Sequence, residues 1–261
     1  GGASLGNGGT FTDSGNTGHT VTENGNAQRE TEQEFKFADD GVGYFLDGTG
    51  DYLSIPDHAD WDFSTSDLTV EAFIYTPESI PSNHYGIFNQ HVDNDNRVQF
   101  NYADSGGLQI FVKSAASVLI NLNQGDLPAH KWNHVAFVRD GNEWYLYING
   151  VNVGNTTASI TMPNLAIEAR VGHCGAGAGD FKGYMDEIRV STTARYPSGT
   201  GFIPTTTQFT SDANTVLLIH GGETKSGTTG SGATFTDSGN TGHTVTENGN
   251  AIESTGNFYK F

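Results

Sequence analysis

One cysteine, twelve basic residues and no long apolar run describe this chain by omission. A single thiol, Cys174, has no partner for an intrachain disulfide and is too few for a multi-cysteine zinc site built within one chain. Its surroundings, GHCGAGAG, predict a loop in which the thiol is idle rather than nucleophilic. Nothing approaches the roughly 20 consecutive apolar residues that a spanning helix needs, so membrane insertion is not expected. Thirty acidic residues against twelve basic give a formal charge of −18, which repels nucleic-acid backbone and anionic lipid. Catalytic signatures are missing too: there is no G-x-S-x-G elbow, no P-loop and no H-E-x-x-H, and the H-x-x-x-H spacing of His130 and His134 falls in a hairpin-strand stretch and not on a helix. The opening GGASLGNGG lacks a starting Met and a charged-then-apolar leader, and a removed leader or a slice of a longer chain are the two expected reasons.

What the chain has is turn chemistry and alternation. Thirty-five Gly with abundant Asn, Asp, Ser and Thr point to many short strands joined by tight turns. Between residues 44 and about 195 the pattern has period two, the signature of a strand with one buried face. In LTVEAFIYT, Leu68, Val70, Ala72 and Ile74 share one side. RVQFNY aligns Val98, Phe100 and Tyr102, and after a turn LQIFVK aligns Leu108, Ile110 and Val112, which predicts a hairpin. WNHVAFVRDGNEWYLYINGVNVG reads as three strands reversing at Asp140-Gly141 and Asn149-Gly150. In YMDEIRVS strict alternation sets Met185, Glu187 and Arg189 against Asp186, Ile188 and Val190.

Four consecutive stretches, FLDGTGDYLSIPDHADWDF, DLTVEAFIYTP, KWNHVAFVRDGNEWYLYINGV and FKGYMDEIRVSTTARY, carry a family likeness. Together they resemble the laminin-G-like, concanavalin A-like jelly roll over roughly residues 10 to 220. The resemblance implies an all-β fold, an antiparallel two-sheet jelly-roll sandwich. It is less informative about function, because this fold hosts lectins, recognition modules, spacers and glycoside hydrolases. Trp61, Trp132 and Trp144 lie inside these hallmarks and are expected in the core.

The string TFTDSGNTGHTVTENGNA occupies residues 10–27 and returns unchanged at 234–251, an offset of 224 that still aligns Lys36-Phe37 with Lys260-Phe261. Domains of this kind normally open with a strand resembling TVLLIH, which here stands at 215–220, ahead of the second copy. The chain is therefore out of phase with its own domain. We expect residues 1–220 to form the jelly roll, with Val216, Leu217, Leu218 and Ile219 as an edge or exchanged strand. Residues 221–261 are expected to begin a second copy that docks on a neighbouring unit. Copies of the chain itself are then its partners, as in the tandem bacterial and phage surface proteins that it resembles, and its place is extracellular, on a cell or a virion surface.

Candidate site residues follow from the same reading. Jelly-roll glycosidases align two or three carboxylates on one strand face, about 5 Å apart in retaining enzymes. Here Glu71 stands alone, and Asp186 and Glu187 are adjacent and face opposite ways, so no enzyme activity is expected and a glycoside hydrolase is kept as the alternative. By resemblance, a structural calcium ion would fall to Asp13, Asp47 and Asp186, although each Asp also fits a turn closed on its own backbone. For a glycan, which needs aromatic faces beside amides and carboxylates, the loop candidates are Tyr85, His91, Asp93, Asn94 and His173.

Overall fold

The computed structural model describes residues 43–77, 83–104, 106–175, 179–220, 235–249 and 251–254. Alternating segments become strands: β1 (Gly43–Asp47), β2 (Tyr52–Ile55), β3 (Leu68–Tyr75), β4 (Tyr85–Asp93), β5 (Asn96–Tyr102), β6 (Leu108–Ser114), β7 (Ser117–Gln124) and β8 (Trp132–Asp140). They continue through β9 (Glu143–Ile148), β10 (Val151–Thr157), β11 (Ala169–Val171), β12 (Lys182–Ser191), β13 (Thr215–Ile219), β14 (Thr246–Asn248) and β15 (Ile252–Ser254). Among the described residues these build two sheets. One runs β10-β9-β8-β3-β12-β1-β15 with β13 also on β12, the other β14-β2-β11-β4-β5-β6-β7. All the pairings are antiparallel, as the jelly-roll reading requires.

The core lies between the sheets. Val70, Ala72 and Ile74 from β3 meet Val98, Phe100, Ile110 and Val112 from β5 and β6, with Trp61 and Trp144 fully buried among them. The β9–β10 reversal is a two-residue turn in which Asn149 (φ +50°) and Gly150 (φ +77°) both take the left-handed region, the backbone that Asn-Gly tolerates best. Strand β12 departs from strict alternation. Met185, Ile188 and Val190 all enter the core, because a bulge between Asp186 and Arg189 shifts the register and puts Glu187 at φ +53°. Left-handed backbone is costly for a non-glycine residue, and the Glu187 carboxylate is tied down on both sides, by the Phe209 N–H (2.5 Å) and by the His220 ring.

The outer face of the larger sheet is covered in its turn. Residues 194–209 lie across it, packing Tyr196 and Phe202 on Tyr145 and Tyr147, and Phe209 on Phe73 and Leu218. Beneath this strap Glu71 is fully buried. Its Oε1 accepts from Arg189 Nε and Nη2 (2.8 and 2.6 Å), and its Oε2 accepts from the Tyr196 hydroxyl (2.7 Å) and lies 3.0 Å from His134 Nε2. Farther along, Arg195 forks onto both oxygens of Asp212.

Val216 to Ile219 belong to β13 and pair with β12 of the same chain. β13 lies along β12 (Ile188↔Ile219, Val190↔Leu217), end to end with β1, which takes the other half of the same strand. The second repeat copy then continues in the same fold: β14 pairs with β2, β15 pairs with β1, and Phe235 and Ala251 join the core. Strands from both sides of the expected 220/221 boundary thus share the same two sheets, with Thr246–Asn248 beside β2 and Ile252–Ser254 beside β1. The first repeat copy, Asp13 included, lies outside the described residues.

Burial pushes the Glu71 carboxyl up, but the His134 hydrogen bond, the Arg189 charge and the Tyr196 hydroxyl together outweigh it and bring its pKa from 4.5 down to about 2. A pKa lower in the folded than in the unfolded chain stabilises the fold above the unfolded value and is lost as pH falls through the folded one, a contribution of about 3 kcal/mol. Urea melts should therefore show stability falling from about pH 4.5 toward pH 2. Glu71→Gln should lower stability at neutral pH by about 3–5 kcal/mol and flatten that acid limb.

Candidate functional site

The open surface is the outer face of the seven-stranded sheet, opposite Val98, Phe100, Ile110 and Leu122. Its cross-strand rows follow from the register. Asn89 lies beside Gln99, Gln99 beside Phe111, and Phe111 beside Asn121. One row over, Asn101, Gln109 and Asn123 stand side by side, and on the other flank His91, Arg97 and Lys113. In β5 to β7 the outward positions are thus mostly amides, with one aromatic ring in the middle and two cations at one margin. Gln109 Nε2 donates to Asn121 Oδ1 (3.0 Å), and the Arg97 guanidinium lies 4.8 Å from the centre of the Phe111 ring.

A glycine-rich loop after β11 covers the β4 side of this face. Asn89 Nδ2 donates to the His173 carbonyl (3.0 Å), Gln99 Nε2 to the Cys174 carbonyl (2.7 Å), and Cys174 Sγ lies 3.2 Å from Asn101 Oδ1. Gly179 pins the loop, its carbonyl accepting from the N–H groups of both Gly86 and Cys174. Three buried atoms at the loop's margin, Asn89 Oδ1, Arg97 Nε and Asn101 Nδ2, have no hydrogen-bond partner among the described residues. Beyond the loop, Tyr52 stacks on His173 (5.0 Å) with Arg170 over its ring, and His173 Nδ1 is 2.5 Å from Asp180 Oδ1.

The glycan candidates fall into different surroundings. His91 and His173 come to this face, His91 pressed against Gly175 and its pKa lowered by burial and by the neighbouring Arg97 and Arg170 charges. Asp93 and Asn94 are exposed at the β4–β5 tip, where Asp93 accepts from Asp95 N (2.8 Å) and Asn94 Oδ1 accepts from Arg97 Nη1 (3.3 Å). Tyr85 is not in a loop: it begins β4 and faces the core against Phe181, 5.5 Å between rings. The amides, Phe111 and Tyr52 were missed because only the core-facing letters of each strand were weighed. The signal was the alternate letters themselves: amides where an ordinary solvent face carries charges.

Of the calcium candidates, the two that are described, Asp47 and Asp186, lie apart. Asp47 pairs with Lys182, four positions before Asp186 on β12, an offset of about 13 Å along the strand. Asp47 Oδ1 accepts from Thr49 N (2.7 Å) and Asp186 Oδ1 from Glu187 N (2.8 Å), both local backbone closures. Asp237, the equivalent of Asp13 in the second copy, accepts from the N–H groups of Leu218, Gly239 and His243 (2.7–2.8 Å).

Residues 47–198 match the Concanavalin A-like lectin/glucanases superfamily. The chain belongs to that superfamily. A Bacteroides ovatus protein proposed to bind carbohydrate shares the fold at 16% identity and a TM-score of 0.54, over 82% of this chain and 61% of that one. This superfamily member thus spans about three fifths of that protein's length. Mouse laminin α1 domains LG4-5 match at 15% identity and a TM-score of 0.45, over 64% of this chain and 48% of that chain. Domain 4 of an extracellular arabinanase from Geobacillus stearothermophilus, solved with arabinotriose, matches at 20% identity and 0.46, over 57% and 69%. No curated protein matches the sequence.

In this superfamily member the loop can be tested through Cys174, whose thiol pKa is pushed well up by burial and by the Asp180 charge. Gly179 has φ +90°, and a Cβ there would fall 1.9 Å from the His84 carbonyl oxygen. Gly179→Ala should cost about 1–3 kcal/mol and lift the loop. Cys174 should then react with a thiol reagent at mildly alkaline pH, where the parent protein stays inert.

Proposed function

We propose that this chain is a non-catalytic, glycan-binding and adhesive domain of an extracellular, cell-surface or virion-surface protein. The observation that carries the reading is the patch of half-buried Gln109 and Phe111 and exposed Asn121 side by side on the outer sheet face. Amides donate and accept at once, which suits vicinal sugar hydroxyls, and an aromatic face takes the apolar side of a pyranose. The carboxylates that a hydrolase of this fold would need are engaged elsewhere. Glu71, Asp186 and Glu187 are all buried, Glu71 under the strap and Glu187 on Phe209 and His220. A glycan array should give hits, and Phe111→Ala or Asn121→Ala should weaken the best one about 10-fold, about 1.4 kcal/mol, with the melting temperature unchanged. An array silent for the parent protein, or hits indifferent to both substitutions, would discard the reading.

A second reading rests on the docked tail. Residues 234–251 and 10–27 are the same string, and one slot beside β2 receives such a string. We propose that either copy fits this slot, so that tails link neighbouring units of an array and many weak glycan contacts act together. A chain ending at residue 220 should then stay folded through its first copy, and one also lacking residues 1–37 should lose much of its stability. Equal melting of the two shortened chains would remove the exchange.

A further inference from the structure

The tail meets the body at a polar cluster that neither the glycan face nor the strap uses. His58 and Asp60 flank Ala59 at the 3₁₀ turn after β2 (Ala59–Trp61), and His243 comes from the loop before β14. Asp60 Oδ1 is 3.4 Å from His58 Nδ1, and Asp60 Oδ2 is 3.0 Å from His243 Nε2. One ligand atom from each of the three residues lies within 4.8 Å of the others. The two imidazoles meet edge to face, 4.8 Å between centres. His243 is held from two directions, its ring stacked on Trp61 (4.7 Å, 29°) and its N–H bound to Asp237 Oδ2 (2.8 Å). Thr241 Oγ1 donates to Asp60 Oδ2, a second contact from the tail to the same carboxylate.

We propose that His58, Asp60 and His243 bind a divalent transition-metal ion of the zinc type, which clasps the repeat segment 235–251 to the body of the sandwich. Two imidazole nitrogens and one carboxylate oxygen suit a borderline ion with bonds of about 2.0–2.2 Å and leave a fourth position for water. Calcium, which takes six to eight oxygens, is poorly served by this set. Tetrahedral ligand atoms stand about 3.3 Å apart at such bond lengths. Closing to that spacing asks His58, whose side chain is 46% exposed, to turn toward the ion and exchange the bond its Nδ1 accepts from Asp60 N (3.3 Å) for the metal. The ligands divide between elements in a telling way: two belong to the body and one to the repeat, and His19 holds the same place in the first copy. Any copy seated beside β2 therefore brings its own histidine to the ion. The clasp does not rest on the glycan reading.

The test uses the full, tag-free chain stripped with a chelator. Zn²⁺ titrated by calorimetry should bind at one site per chain and raise the melting temperature, and Ca²⁺ at the same concentration should not. Co²⁺ should give the visible bands of a tetrahedral site. His58→Gln and Asp60→Asn should each weaken Zn²⁺ binding at least about 10-fold. His58→Gln is the decisive variant, because that ring is exposed and its loss leaves the packing of His243 on Trp61 intact. Limited proteolysis between 221 and 251 should slow with Zn²⁺ and recover with chelator. No Zn²⁺ binding, binding equal in parent and variants, or binding without protection of the tail would each overturn the clasp.

Discussion

An unpaired sheet edge leaves backbone N–H and C=O groups without a neighbour, and wherever the edge is also shielded from water each such group costs about 1–3 kcal/mol. This constraint organises the whole molecule. β12 is long enough to serve two partners on one side, and β1 and β13 share it end to end. β2 and β1 would stop their sheets short, and β14 and β15 extend them from the far end of the chain. Asp237 then fixes how the returning segment turns, by accepting three backbone N–H groups, one of them from β13 itself. The tail belongs to the sandwich as much as any internal strand does.

Much of this was legible. Period-two letters in β3, β5 and β6 picked out the face turned to the core between the sheets, although the other face of β3 is buried too, beneath the strap, and Asn149-Gly150 announced its reversal. The family likeness rested on hallmarks whose tryptophans, Trp61 and Trp144, do sit in the core. β12 was misjudged where alternation ceases to be a rule. Nothing in MDEI signals that one extra residue is absorbed there, since the bulge depends on Glu187 finding Phe209 and His220 across the sheet. Tyr85 looked like a loop residue because it stands in SNHYG, a turn-forming string, but the strand begins at Tyr85 itself, inside that string, and takes the ring inside.

The sites were harder to read than the fold, for a physical reason. A core face shows itself in one strand, whereas a binding face is made by adjacency between strands, which only the register reveals. Gln99, Phe111 and Asn121 are unremarkable letters until β5, β6 and β7 put them side by side. His243 and Asp60 are 183 positions apart and meet only because the tail returns. The same return pairs β2 with β14, Asn248 reaching Ser54 from 194 positions away, a contact of high sequence separation.

The strap across the larger sheet bears on how the fold responds to ionic strength. Its central acid, Glu71, is joined to Arg189 beneath aromatic rings, where mobile ions scarcely penetrate. Surface pairs such as Lys113 with Asp95, the latter 57% exposed, weaken as ionic strength rises. The chain's excess negative charge is screened under the same conditions, which eases its self-repulsion. A fold whose strongest ion pair is enclosed in this manner leaves dissolved salt to act mainly on the exposed pairs.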